Sequence, residues 1–363
     1  EGLRKALMRE ARELARLYDI ALPENSDKQY FAHSKEGLDE SEWQPLRDHL
    51  IATGNLAFKL GQNAGVSELA QTAGLLHDIG KYSHAFQNRL HGSRQRADHA
   101  TAGAREIVRL FPDRPQKDFA ELLSYCIAGH HSGLPDYGSM ADVGTEGTLL
   151  ARREKKKLED YSAYKNELDT GLLNINHPVI KPARFRFGEL EHPFYGFSTS
   201  FLTRMIFSTL VDADWLETEN YMHAGEKSRG QYASIDALCQ QFNHFLLRFE
   251  NPKIEINRKR TETLKACIAN AEQKPGFFTL TVPTGGGKTL ASMAFALNHA
   301  VEHGLERVIY VIPFTSIIEQ NANEFKKAFG ALGQENVLEH HSNFDWEQFR
   351  QASDNETNKG SEK

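Results

Sequence analysis

"GLLHDIGKYSHAF", residues 74–86, sets His77 and Asp78 side by side at the end of an apolar run, with Gly80 and Lys81 just after them. Two adjacent ionisable groups on a buried face cost desolvation energy unless something compensates them. A metal ion would do so, provided other parts of the chain supply further ligands. The candidates are His49 in WQPLRDHL, His99 in ADHATAG, His130 and His131 in AGHHSG, and Asp212 in LVDADW. Each sits in or beside an apolar helical stretch, and residues of this kind on separate helices can converge in the core of a bundle.

The mixture suits two-metal chemistry. Imidazoles favour transition metals, carboxylates can bridge two ions, and the histidine-rich set favours Mn, Fe, Co or Ni over Mg. Two ions about 3.5–4 Å apart activate a water and neutralise a leaving oxygen. Asp78 is the natural bridge. Lys81, one helical turn after His77, can reach a phosphate oxygen or orient a water. Any one of the 16 histidines taken alone is more often structural, and the dipeptide itself is weak evidence, since HHS occurs at 130–132 and again at 340–342. The ordered set H…HD…H…HH…D is what carries the reading.

Outward from this motif, the periodicity predicts helices over 43–62, 67–81, 98–110, 116–131, 149–168, 198–216 and 230–249, with few strand signals. RREKKKLEDYSAYKNEL at 152–168 reads as a solvated charged helix, and the Pro- and charge-rich stretch 176–193 as a loop or insertion. Residues 1–27 carry a helical stripe at 3–18 and are expected to be an appended extension. Residues 28–249 form the all-α domain. The texture changes near 250, so residues 250–363 are expected to hold a linker and a partial RecA-like α/β lobe. That lobe would contain a helix at 258–272, a strand at 277–282, a helix at 288–303, a strand within RVIYVIP and a helix at 316–329. The tail QASDNETNKGSEK is polar and reads as disordered.

A second motif lies in that lobe, in TLTVPTGGGKTLASMAFAL at 279–297. The amides of Gly285, Gly286 and Gly287 after Thr284 can wrap a phosphate, Lys288 can meet the β/γ-phosphates and Thr289 can hold Mg. Val282 stands where the strict phosphate-loop pattern requires glycine. No DExH or DEAD stretch follows, so ATP with Mg is expected at this loop in the full-length protein, while the segment itself is expected to bind nucleotide weakly, without unwinding DNA or turning ATP over.

The net charge of −6 excludes whole-molecule attraction to nucleic acid and leaves only a local basic groove. Arg89, Arg94 and Arg96 can guide a phosphate backbone or form a solvated loop. Cys126, Cys239 and Cys267 are sparse and unpaired in pattern, as in a reducing compartment. The charged start is not a signal peptide, and the longest apolar run, VIYVIPF at 308–314, is strand-sized. A cytoplasmic location without membrane attachment is expected.

YFAHSKEG, WQPLRDHL, LLHDIGKYSHAFQ, DHATAGA, AGHHSGLPD and LVDADWLETE resemble, in order and phrasing, the HD phosphohydrolase superfamily. Within it they resemble the HD nuclease domain of the CRISPR-associated nuclease–helicase of type I interference systems. The likeness extends over residues 28–342, and PTGGGKT with VIYVIPFTSIIEQNANEF resembles superfamily 2 helicase motifs. By this resemblance His49, His77, Asp78 and Asp212 hold one metal, Asp78, His99, His130 and His131 hold the other, and Lys81 stands beside them. His33 in FAHS competes with His49, which is preferred for its helical setting. The resemblance implies cleavage of single-stranded DNA displaced by a guide-RNA surveillance complex. Two other readings stay open: a phosphohydrolase of nucleotides or cyclic dinucleotides, and a non-catalytic nucleotide-binding scaffold.

Overall fold

A computed structural model of the chain describes residues 29–341, except 36, 95–96, 146, 156, 176–181, 188–189 and 224–231. The helix expected at 3–18, the polar tail and Arg96 lie outside the described residues. The chain forms two compact units, residues 1–227 and 228–363.

The first unit is a helical bundle. A short strand β1 (Phe31–His33) pairs antiparallel with β2 (Gln44–Pro45), and the Leu46 amide donates to the Tyr30 carbonyl at 2.8 Å. Then come α1 (Leu46–Leu60), α2 (Ser67–Leu76), a 3-10 turn (Ile79–Tyr82), α3 (His84–Leu90), α4 (Ala100–Leu110) and α5 (Gln116–Gly129). Shorter pieces α6 (Leu149–Arg153) and α7 (Tyr164–Glu167) precede a hairpin of β3 (Ala183–Phe187) and β4 (Leu190–Phe194), and α8 (Tyr195–Met222) closes the unit.

α1 buries Leu46, His49, Leu50, Thr53 and Ala57, the i, i+3, i+4, i+7 spacing of one helical face. That face meets α2 and α8 around Leu69, Leu76, Ile206 and Leu210, where each fully buried aliphatic side chain contributes about 1.5–3 kcal/mol. α1 and α2 cross in backbone contact: a Cβ added to Gly74 would lie 2.8 Å from Gly54 Cα. The tight crossing brings His49 and His77 together, with ring centroids 5.3 Å apart.

Three expectations for this unit fail for stated reasons. Residues 152–168 are not one helix; only Leu149–Arg153 and Tyr164–Glu167 are helical. The stretch between them is tied instead to neighbours, through Lys155 to Asp98, Glu159 to the Ala85 amide and Tyr161 to Glu106. The 176–193 stretch contains the β3–β4 hairpin, with Ala183 facing Phe194 and Phe187 facing Leu190 in register. The domain boundary falls at 227/228 rather than 249/250.

In the second unit α9 (Ile235–Leu246) packs against α11 (Lys288–Glu302) and α12 (Thr315–Phe329), α10 (Glu255–Ala269) against α11, and α13 (Gly333–Asn336) against α12. The boundary moves because Leu238 and Phe242 of α9 bury against Met293, Leu297, Phe325 and Phe329; the Phe242 and Phe329 rings lie 5.6 Å apart. The two expected strands at 277–282 and within 307–313 form no ladder among the described residues. A parallel strand needs pairing neighbours and cover on both faces, and Phe277, Ile309 and Val311 stay largely exposed. No helix among the described residues is long and apolar enough to cross a membrane.

Candidate metal centre

Five helices and a 3-10 turn, or their flanks, bring side chains together at Asp78, with Asp214 coming from α8. His49 projects from the buried face of α1, and His77 ends α2. Asp78 leads into the 3-10 turn, His99 caps the start of α4, and His130 and His131 follow α5. The turn carrying Asp78 and the start of α4 touch through Gly80, where an added Cβ would lie 2.2 Å from the His99 carbonyl oxygen. Only glycine admits that approach, so the HDxG spelling is a packing requirement as well as a chemical one.

The donors form two sets that share Asp78. On the Oδ2 side, His49 Nε2 and His77 Nε2 lie 3.5 and 3.3 Å from Asp78, and 3.5 and 3.4 Å from Asp214 Oδ1. On the Oδ1 side, His99 Nε2 and His130 Nε2 each lie 3.4 Å from Asp78, and His131 Nε2 lies 2.9 Å from His99 Nε2. Ligand atoms held about 2.0–2.2 Å from a common metal are separated by roughly 3.0–3.5 Å. The observed spacings are those of two ligand shells.

The ring orientations are fixed from behind. His77 Nδ1–H donates to the Gly74 carbonyl and His130 Nδ1–H to the Ile127 carbonyl, both at 2.7 Å. His49 Nδ1–H donates to Glu217 Oε2 at 2.5 Å, and Gln44 Nε2 holds the other Glu217 oxygen at 2.6 Å. Carbonyls and carboxylates only accept, so Nδ1 carries the proton in each ring and Nε2 is the atom turned toward Asp78. His49 Nε2, His77 Nε2, His130 Nε2 and both Asp78 oxygens are buried without a hydrogen-bond partner among the described residues. An orphaned buried polar atom costs about 1–3 kcal/mol; a cluster of them around one point fits divalent ions.

Lys81 Nζ lies 2.7 Å from Asp78 Oδ2, as an ion pair rather than an aligned hydrogen bond, and 3.3 Å from the Ala32 carbonyl. Burial alone would raise the Asp78 carboxyl, but His77, Lys81 and His99 hold it well below the usual carboxylate range. Burial alone would lower His77, but the Asp78 and Asp214 carboxylates hold it up at about 10. A proton there occupies the place a cation would take, so metal uptake competes with protons and weakens as pH falls. Burial lowers His99 to about 4, leaving it neutral near pH 7.

Asp212 is not in either set. It is exposed, and Asp214 takes the place expected for it. The reason is helical phase: α8 buries Ile206, Leu210 and Ala213, and the same stripe continues through Asp214 and Glu217. A residue two positions away points to roughly the opposite side of the helix. The buried phase was the signal that would have selected Asp214 and disclosed Glu217. His33 does not donate to the cluster. Its ring packs edge-on against His49 at 5.1 Å, with Nε2 3.4 Å from Thr218 Oγ1.

In the second unit the glycine loop runs into α11. Gly285 and Gly287 have φ of 81° and 84°, and Gly287 precedes Lys288 at the helix start. Lys288 Nζ donates to the Val282 carbonyl at 2.9 Å, and Arg260 Nε donates to the Gly285 carbonyl at 2.8 Å. Thr284, Gly286 and Thr289 complete the turn and the first helical residues. The amides at this helix start suit an anion.

Comparison with known families agrees with this division. Residues 46–166 match the family model described as HD domain. Residues 253–359 match that of the type III restriction enzyme, res subunit, a helicase-type domain. A search of curated proteins gives no match. The chain therefore joins an HD domain to a helicase-type region, and the HD match with the His/Asp cluster points to a metal-dependent hydrolase.

Proposed function

We propose that the chain is a divalent-metal-dependent nuclease that hydrolyses phosphodiester bonds of single-stranded DNA in type I CRISPR interference. We propose further that its second unit binds ATP with Mg at Thr284–Thr289. The carrying observation is that one buried carboxylate, Asp78, turns an oxygen to each of two donor sets. His49, His77, Asp78 and Asp214 would hold one ion, and Asp78, His99, His130 and His131 the other. Ions so held would supply an activated water and neutralise charge on the leaving oxygen. The protein's share is positional. Glu217 and the Gly74 and Ile127 carbonyls lock the imidazoles, and Lys81 holds the bridging carboxylate in place. The CRISPR setting and a guide-RNA surveillance complex as partner are supported by the motif wording and by the joined helicase-type region.

The test is a substrate panel with the metal-loaded protein. Circular single-stranded DNA should be cut, chelator should abolish cutting, and Mn, Co or Ni should restore it better than Mg. Hydrolysis of nucleotides or cyclic dinucleotides with circular DNA untouched would assign the site to small-molecule phosphohydrolysis instead. Lys288→Ala should leave DNA cutting intact.

A further inference from the structure

The two donor sets do not face the same surroundings. His49 and His77 are fully buried, Asp214 and His99 are each slightly exposed, and His131 alone is open to solvent. Beside those two histidines opens a cavity of about 490 Å³, within the range of ligand sites. Four basic side chains line it, Arg89, Arg152, Lys155 and Lys157, against two acidic ones. Both acids are engaged: Asp98 takes Lys155 at 3.0 Å, and Glu159 accepts the Ala85 amide at 2.9 Å. Arg152 is turned into the wall, donating to the Ala128 carbonyl. Arg89, at the end of α3, and Lys157 are exposed and make no ion pair among the described residues. The chain as a whole is acidic, so this concentration of positive charge against the metal centre is local.

We propose that this cavity seats the strand adjoining the bond to be cut, with Arg89 and Lys157 contacting phosphates next to the reacting one. The polynucleotide then approaches over His131, the exposed donor, where the cavity opens. A single-phosphate ligand could use the metal centre but not the pair of cations beside it. The assignment rests on reading the centre as a phosphodiesterase, and its test is separable from that reading.

The probe is a fluorescein-labelled 15-nucleotide single-stranded DNA, followed by anisotropy in EDTA, so that no cleavage occurs. Arg89→Glu with Lys157→Glu should weaken binding at least tenfold and make the salt dependence shallower, each lost phosphate contact removing about 0.7 from the log–log slope. Lys59→Glu, an exposed charge on α1, should change affinity less than twofold. Both substituted residues are exposed, so folding is not at risk. The assignment is overturned if the double variant binds within twofold of the parent, if Lys59→Glu costs as much, or if the parent does not bind the oligonucleotide. A parent that binds this DNA but fails to cut it with Mn overturns the nuclease reading alone.

Discussion

Among the described residues of the first unit, two carboxylates are almost completely buried, and they are treated in opposite ways. Glu106 on α4 has both oxygens taken by protein donors: Arg109 and Tyr164 on Oε1, and Arg109 and Tyr161 on Oε2 at 3.0 and 3.1 Å. Asp78 has its oxygens turned toward a ring of imidazole Nε2 atoms, with Lys81 alongside as an ion pair. The first arrangement is complete as it stands and holds α4 to the 161–164 segment. The second leaves both oxygens without a hydrogen-bond donor among the described residues, as suits a divalent-ion site. Burial of a charge is thus no sign of function in itself; what distinguishes the two sites is whether the protein satisfies the charge.

Substitutions at the two places should separate cleanly. Asp78→Ala should remove both ions, with metal content measured by mass spectrometry falling to background and hydrolysis dropping by more than the roughly 100-fold typical of supporting residues. Unchanged metal content would place the ions elsewhere. Next in size, Asp214→Ala should empty the closed set and lower activity by roughly 100-fold, while Asp212→Ala, exposed, should stay within about twofold of the parent. The reverse ranking would mean that the helical phase of α8 has been misread. Glu217→Gln keeps the shape but weakens the grip on His49 Nδ1, and calorimetric titration with Mn should show metal affinity reduced about tenfold.

Glu106→Gln should leave hydrolysis within twofold but lower stability by about 1–3 kcal/mol at neutral pH. The pH dependence has a definite sign. Burial alone would raise Glu106, but Arg109, Tyr164 and Tyr161 hold it below its ordinary value. Its contribution is therefore fully present above the unfolded carboxyl value, near about 4.3, and is lost as pH falls through the lower folded value. Urea melts of parent and variant should converge toward acid; curves that stay parallel would remove Glu106 from the account.

Six residues of the candidate metal centre were legible in the chain, four of them because each falls in or beside an apolar helical stretch. His49 in LRDHL, His77 and Asp78 in LLHD and His130 in AGHH have no solvent to explain them. His99 and His131 follow from the same motif order. Asp214 was obscured by Asp212, since DAD offers two carboxylates and only the phase of Ile206, Leu210 and Ala213 chooses between them. Glu217 carries no local signal apart from that stripe. The two runs at 277–282 and 307–313 have strand composition, but a ladder depends on partners distant in sequence, which no local window contains. The charged stretch 152–168 likewise gave a helical pattern that long-range pairs to Asp98, Glu106 and Ala85 override.

The contact between Gly80 and the His99 backbone has a bearing on how this centre tolerates change. Two segments nineteen residues apart in sequence are spaced by the absence of a single carbon atom, at a residue that binds nothing and carries no charge. Inherited variation there would fall silent on every chemical inventory of the protein, yet even alanine would wedge one half of the centre away from the other.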